Sequence, residues 1–251
     1  MKHHFLDQYS DRRSPLHSLD PRTKILSLLS FVVTVVLTPL LPPSRLFFYT
    51  LLLLSLMLLS RVPPLFLLRR SAVVLPFVGL VAVGLPFLGG SGGSYNLGPF
   101  HVTPSALLIF LNVLWKSWLS VLAMGLLVST TPFTRLLRGF QSLGLPYLFI
   151  TLLSFMYRYL YLMVDEFERM GRAREARAWR MGRLERMRVL GNMVGSVFLR
   201  SYERGERVYQ AMRARGFEGR IRVMRELRMG GADFLFLSLF FPLLLLPAVM
   251  V

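Results

Sequence analysis

Long apolar runs, separated by short polar or charged connections, dominate the chain. A helix that crosses the hydrocarbon core of a bilayer, about 30 Å thick, needs roughly 20 apolar residues. Five runs reach or approach that length, at residues 25–41, 46–60, 72–88, 106–128 and 234–251. The pattern predicts an all-α integral membrane protein with about five transmembrane helices and a cytoplasmic helical coupling domain between the fourth and the fifth.

The charge of the short connections predicts which way the spans run, because Lys and Arg near span ends collect in the cytoplasm. The loop at 89–105, between the third and fourth spans, contains no Lys or Arg. The segment before the first span and the connection after the second are basic, with Arg12, Arg13, Arg22, Lys24, Arg61, Arg69 and Arg70. We therefore expect a multi-pass protein of the cell membrane with its N-terminus in the cytoplasm and its C-terminus outside.

A sixth apolar run, at 145–164, is expected not to cross the membrane. Crossing would place the seventeen arginines of residues 166–228 outside, against the positive-inside bias. The run also carries Arg158, whose charge costs about 2.5–3.5 kcal/mol at the centre of a span. We expect a helix that lies at the interface or under other helices. The predicted organisation is then a cytoplasmic arm at 1–24, a four-span region at 25–128, a cytoplasmic or interfacial coupling domain at 129–232 and a last span at 233–251.

The coupling domain contains a segment with helical periodicity. Apolar or small residues recur at i, i+3 and i+4 spacing through residues 194–212, which places them on one helix face. Glu203 and Arg207 are expected to pair on the opposite face. Gly216 suits the left-handed position after a helix end, and Phe217 suits the hydrophobic contact of a Schellman cap. The segment is predicted to be an amphipathic helix that packs on another element.

Arginines stand at the ends of two predicted helices in this domain. The later end carries Ala214, Arg215 and Gly216, and the earlier end carries Ala176, Arg177 and Ala178, without the glycine. Two arginines on rigid helix ends suit docking into two similar acidic grooves. The alternative is that both tripeptides are only helix C-caps.

Composition narrows the function classes. The 251 residues are 54% hydrophobic, carry a formal net charge of +17 and include no cysteine, which excludes disulfides, a thiol nucleophile and a cysteine metal cluster. The sequence shows no nucleophile and base pairing, no His-Glu zinc motif and no acidic cluster within the spans, which speaks against a membrane-embedded enzyme. A basic module that binds anionic lipid or nucleic acid stays as an alternative, although its arginines are interleaved with glutamates.

A few polar residues outside the two tripeptides are further candidates. Lys116 lies about ten residues into the fourth predicted span, where an ionisable group is a functional hypothesis by default and helix packing is the alternative. Asp20 and Pro21 fit an N-cap and the first position of a helix, and Arg22 and Lys24 follow them. A contact with a cytoplasmic partner is the alternative role for this segment. We expect no metal site on the four histidines.

Two segments resemble the transmembrane T component of energy-coupling factor transporters, and specifically its cobalt and nickel branch. They are SPLHSLDPRTK at residues 14–24 and FLRSYERGERVYQAMRARGF at residues 198–217, and the similarity extends over nearly the whole chain. The resemblance implies a chain that performs no chemistry. Its task would be to pass the ATP-driven movement of two cytoplasmic ATP-binding-cassette ATPases to a separate membrane subunit that binds the substrate.

The resemblance also implies roles for the two tripeptides. Arg215, within residues 214–216, matches the second of two motifs that end coupling helices in grooves of the ATPases, and Arg177, within residues 176–178, matches the first. Ala178 departs from the family pattern, which has glycine there, and this departure concerns the cap geometry and not the charge of Arg177.

The partners implied by the resemblance hold all the ligands. ATP would be bound by the two ATPases and Co²⁺ or Ni²⁺ by the substrate-binding membrane subunit, with no cofactor on this chain. The resemblance also allows for a small auxiliary membrane subunit as a further partner. Nucleic acid is not among the partners that it implies. The T component of a vitamin-type transporter of the same class is the alternative.

Overall fold

The structure is a computed structural model that describes residues 14–38, 42–82, 95–97, 100–102, 104–177, 182–219, 227 and 229–249. The chain forms two compact units. Lys2–Leu143 together with Leu227–Val251 form the first, called here the bundle unit, and Gly144–Glu226 belong to the second, called here the helix-pair unit.

Helices make up most of the described residues in both units. The helix-pair unit holds α8 Tyr147–Arg177 and α9 Arg183–Ala214. The bundle unit holds α1 Pro15–Ser18, α2 Pro21–Leu37, α3 Pro43–Ser60, α4 Pro64–Ala72, α5 Leu75–Ala82, β1 Tyr95–Leu97, β2 Phe100–Val102, α6 Pro104–Thr130, α7 Phe133–Ser142 and α10 Gly231–Val249. The predicted all-α class is thus confirmed except for one short antiparallel hairpin in the loop at 89–105, whose Tyr, Phe and Val residues favour strands.

The core of the bundle unit forms where α2, α3, α6 and α10 pack together. Phe31 of α2 and Tyr49 of α3 are fully buried and meet edge to face, with ring centroids 6.0 Å apart. Leu126 of α6 and Leu244 of α10 belong to the same buried cluster. Prolines begin α2, α3 and α4, because a first-turn proline needs no hydrogen-bond acceptor and already has a helical φ angle.

Among the described helices, one predicted span and one further segment have the length and hydropathy of a membrane span, and two predicted spans are shorter apolar helices. Segments Leu108–Thr130 and Tyr147–Ala176 are long and apolar enough to cross a membrane, and Ser44–Ser60 and Gly231–Pro247 are shorter apolar helices. The second segment includes the run at 145–164, which we expected not to cross, so the number of spans stays a prediction. The predicted third span, at 72–88, begins at the last residue of α4 and contains α5, and its last residues, 83–88, lie outside the described part of the chain.

Helix α7 packs closely on the start of α2, although the sequence placed it in the coupling domain at 129–232. A β-carbon added to Gly139 of α7 would lie 2.7 Å from Ile25 Cδ1 and 3.2 Å from Pro21 Cβ. Glycine therefore permits this approach. We expect Gly139→Leu to lower the free energy of unfolding by about 1–3 kcal/mol through overpacking. Thermal melting in detergent should show this, whereas Gly79→Leu, whose β-carbon meets no atom within 4 Å, should melt like the wild type.

Candidate functional site

A buried polar cluster joins the start of α2 to the start of α10. Asp20 is the N-cap of α2, and its Oδ1 accepts a hydrogen bond from the Arg22 N–H at 2.9 Å. Asp233, in the first turn of α10, accepts from the Asp20 N–H at 2.8 Å through Oδ1 and from the Gly230 N–H at 2.8 Å through Oδ2. One carboxylate thus holds two helix N-termini, where negative charge is favoured. The predicted N-cap is confirmed, whereas Asp233 was not predicted.

Lys24 lies in the same cluster and reaches the end of α6. It is 3% exposed, and its Nζ donates to the His17 carbonyl at 3.1 Å and to the Thr130 carbonyl at 3.2 Å. Thr130 is the last residue of α6, so a cation meets the negative end of a helix dipole. The segment 14–24, predicted to belong to a cytoplasmic arm, is therefore folded against the bundle.

The burial of Lys24 makes stability depend on pH. Burial lowers the pKa of Lys24 to about 8, Arg135 acts in the same direction, and Asp20 and Asp233 act against it. The unfolded chain keeps this proton up to the ordinary value of 10.5, so it binds more protons than the folded chain between these values. We expect the contribution of Lys24 to the free energy of unfolding to rise between pH 8 and 10.5. The melting temperature of the wild type relative to that of Lys24→Met should rise across this range, and a constant difference would contradict the assignment.

Lys116 of α6 makes the corresponding contact at the other end of α2. Its Nζ donates to the carbonyl of Thr38, the C-cap of α2. Lys24 therefore holds the end of α6, and Lys116 holds the end of α2. The two contacts fix α2 and α6 as antiparallel neighbours, and the Asp20–Asp233 hydrogen bond places the start of α10 beside the start of α2. This geometry supports the packing role for Lys116.

The predicted glycine cap is present at the end of α9. Ala214 is the last residue of the helix, Arg215 is its C-cap, and Gly216 has a φ of 78°. The Gly216 N–H donates to the Arg213 carbonyl, and the Phe217 N–H donates to the Met212 carbonyl, both at 3.0 Å. These are the two hydrogen bonds of a Schellman motif. Arg215 is exposed at this fixed end, which makes its guanidinium accessible to a partner.

The first tripeptide is only partly described. Ala176 is exposed near the end of α8, and Arg177 is the last residue of that helix. Ala178, the position where the family pattern has glycine, lies outside the described residues. The helix end itself is where the sequence placed it.

Helices α8 and α9 are joined by an ion pair and enclose an apolar groove. Glu166 of α8 accepts hydrogen bonds from Arg169 and from Arg200 of α9. On one side of this contact is a cavity of about 480 Å³, called here the α8–α9 groove, which is lined by Leu148, Thr151, Leu152, Phe155, Tyr159, Met163, Ser201, Arg204, Gly205, Val208, Tyr209, Met212, Phe217 and Gly219. The lining combines α8 residues before Glu166 with residues after Arg200, in α9 and just beyond its end. The two helices therefore run antiparallel, and Arg215 and Arg177 lie on opposite sides of the ion pair.

The predicted amphipathic face of α9 is divided between two environments. Ser201, Gly205, Val208 and Met212 line the groove, whereas Val194 and Phe198 are exposed to the extent of 58% and 68%. The predicted pair of Glu203 and Arg207 is present at 3.6 Å. Among the described residues, no group of three or more His, Cys, Asp or Glu side chains could hold a metal ion.

Comparison with known proteins assigns the chain to a family. Residues 12–226 match the CbiQ family, described as "Cobalt transport protein". The chain is 27% identical to an uncharacterised protein of Methanocaldococcus jannaschii, over 96% of this chain and 85% of that protein. It is 30% identical to the energy-coupling factor transporter transmembrane protein EcfT of Bacillus selenitireducens, over 98% of this chain and 95% of that one. A putative fused cobalt transport protein, CbiMQ, of Methanocorpusculum labreanum is 27% identical over 96% of this chain and 42% of its own length.

The match covers most of both units, including Asp20, Lys24 and Thr130 of the buried polar cluster and the whole of α8 and α9, whereas Asp233 lies beyond its end. The apolar helices are those expected of a membrane subunit. The chain therefore belongs to the CbiQ family of cobalt transport proteins, the transmembrane T components of energy-coupling factor transporters.

Proposed function

We propose that this transporter subunit carries ATP-driven movement from two ATPase subunits to a substrate-binding membrane subunit, through the ends of α8 and α9. The observation that carries the proposal is the exposed Arg215 on a Schellman-capped helix end. The backbone at such an end is fixed, so an arginine bound in an acidic groove of an ATPase can pass the movement of that ATPase to the helix. Arg177, at the end of α8, is the second docking residue in this proposal.

The two arginines serve different partners in this account. They lie on opposite sides of the Glu166–Arg200 ion pair, each at the C-terminal end of its own helix. Movement of two ATPases toward each other would therefore act on both helices of the pair and change the angle between them. We propose that this change reaches the substrate-binding subunit, which alone holds the ion.

The proposed cargo is cobalt, or nickel as its close chemical relative. Support comes from the family description and from the fused relative named as a cobalt transport protein. The proposed orientation puts the N-terminus and the helix-pair unit in the cytoplasm, since the basic connections favour that side. The C-terminus of α10 then lies outside, because α10 begins beside the start of α2.

Docking through Arg215 can be tested with a matched neighbour. The variant Arg215→Gln removes the proposed docking charge, whereas Arg213→Gln removes an arginine one residue before the helix end, whose guanidinium lies 6.0 Å from the Tyr209 ring. We expect Arg215→Gln to weaken capture of a co-expressed ATPase subunit at least about tenfold, the scale of a lost charge-assisted contact. Arg213→Gln should retain capture, and equal losses in both variants would mean that only general basicity matters.

A further inference from the structure

Among the residues that the structure describes, one cation of the α8–α9 groove has no counter-charge. Arg204 is the charged residue among those that line it, and it is half-buried. The arginines one turn before and after it pair with acids, Arg200 with Glu166 and Arg207 with Glu203. Arg204 forms no ion pair with any residue that the structure describes. A half-buried guanidinium beside an apolar cavity favours an anionic ligand, because charges removed from water need a partner.

The rest of the lining favours a ligand with a long apolar part. Leu152, Phe155, Val208 and Met212 line a cavity of about 480 Å³ between the two helices. Thr151 lines it as well, is 7% exposed, and has an Oγ1 without a hydrogen-bond partner among the described residues. A ligand that buries an apolar chain between these side chains and presents an anionic head to Arg204 would satisfy the apolar lining and the guanidinium.

The location of the groove identifies the source of such a ligand. Its α8 wall lies within the apolar run at 145–164, for which the charge pattern predicts a position at the membrane interface or under other helices, and the interfacial position brings the groove to the lipid headgroups. The helix-pair unit carries seventeen arginines and nine acidic residues, an excess of eight positive charges, which draws it to anionic headgroups. We infer that the α8–α9 groove binds one anionic phospholipid, with an acyl chain between the helices and the phosphate at Arg204.

Such a lipid would contact the end of the proposed coupling helix. Phe217 lines the groove, and its N–H also makes one of the two Schellman hydrogen bonds at the end of α9. A chain in the groove therefore touches the residue that fixes the position of Arg215. The inference does not depend on ATPase docking, and binding can be measured without any partner.

The test uses glycines of α9 as sites for a blocking side chain. A β-carbon at Gly205 meets no atom within 4 Å, so Gly205→Phe fills the groove without backbone strain. Gly195→Phe is the matched control, because its β-carbon is equally free and it does not line the groove. The full chain is purified in detergent, exposed to phosphatidylglycerol or phosphatidylcholine, and examined by native mass spectrometry.

We expect the wild type and Gly195→Phe to retain one phosphatidylglycerol and Gly205→Phe to lose it. Arg204→Gln should reduce the preference for phosphatidylglycerol over phosphatidylcholine about fivefold, and Arg207→Gln should not. Equal retention in the two glycine variants, or no headgroup preference in the wild type, would overturn the inference. If Gly205→Phe leaves lipid retention intact and instead weakens assembly with a membrane partner, the groove holds a protein helix.

Discussion

Replacing Asp233 with alanine is expected to lower the free energy of unfolding by about 3 kcal/mol, among the largest effects of any single change in this chain. The carboxylate is 6% exposed and accepts from two backbone N–H groups, those of Asp20 and Gly230. Alanine leaves both donors without this acceptor and removes a negative charge near Lys24. The melting temperature of the detergent-solubilised chain should fall by roughly 10 °C.

Two variants separate this effect from a general loss of charge. Asp233→Asn keeps one side-chain oxygen as an acceptor, so it should melt between the wild type and the alanine variant. Glu218→Ala removes an exposed acid from the helix-pair unit and should melt like the wild type. A melting temperature for Asp233→Ala within about a degree of the wild type would show that the cluster contributes little to the bundle.

The features that could be predicted from the sequence are those set by local patterns. The apolar runs indicated the positions of α2, α3, α6 and α10, because length and hydrophobicity decide whether a helix suits a bilayer. The end of α9 was equally predictable, since glycine after a helix permits the left-handed turn observed at Gly216. Asp20 followed by Pro21 gave the start of α2 for the same kind of local reason.

The features that were missed depend on contacts between distant segments. Asp233 meets Asp20 across a separation of 213 residues, and no periodicity connects the two. The available signal was the position of Asp233 just before the last apolar run. That position is equally well explained by a single acid that stabilises the first turn of its own helix. The roles of Lys24 and Lys116 were open for a similar reason, because their acceptors are the carbonyls of Thr130 and Thr38 on other helices.

Reversing the charge at both helix ends is expected to have the largest functional effect. The double variant Arg177→Glu, Arg215→Glu places an acid where each proposed acidic groove requires a cation, so attraction becomes repulsion at two sites. Capture of the ATPase subunits should fall by at least about a hundredfold, a loss of more than 2.7 kcal/mol. The fold should survive, since Arg215 is exposed and the Schellman hydrogen bonds are made by the backbone.

A second double variant provides the control for this experiment. Arg172→Glu with Arg213→Glu makes the same change in net charge on the same two helices, at positions before their ends. This control variant should capture the ATPase subunits much more strongly than the Arg177→Glu, Arg215→Glu variant does. An equal loss of capture in both double variants would mean that assembly depends on the overall charge of the helix-pair unit.

The central claim is that ATP-driven movement enters this subunit through Arg177 and Arg215, and the most direct test is metal uptake by the assembled transporter. Wild type and the Arg177→Glu, Arg215→Glu variant are each co-expressed with the two ATPases and the substrate-binding subunit, with uptake of Co²⁺ and ATP turnover measured together. We expect the variant to melt like the wild type, to lose the ATPases and to lose uptake. Unchanged assembly, turnover and uptake in the variant would contradict the account and leave both tripeptides as helix caps.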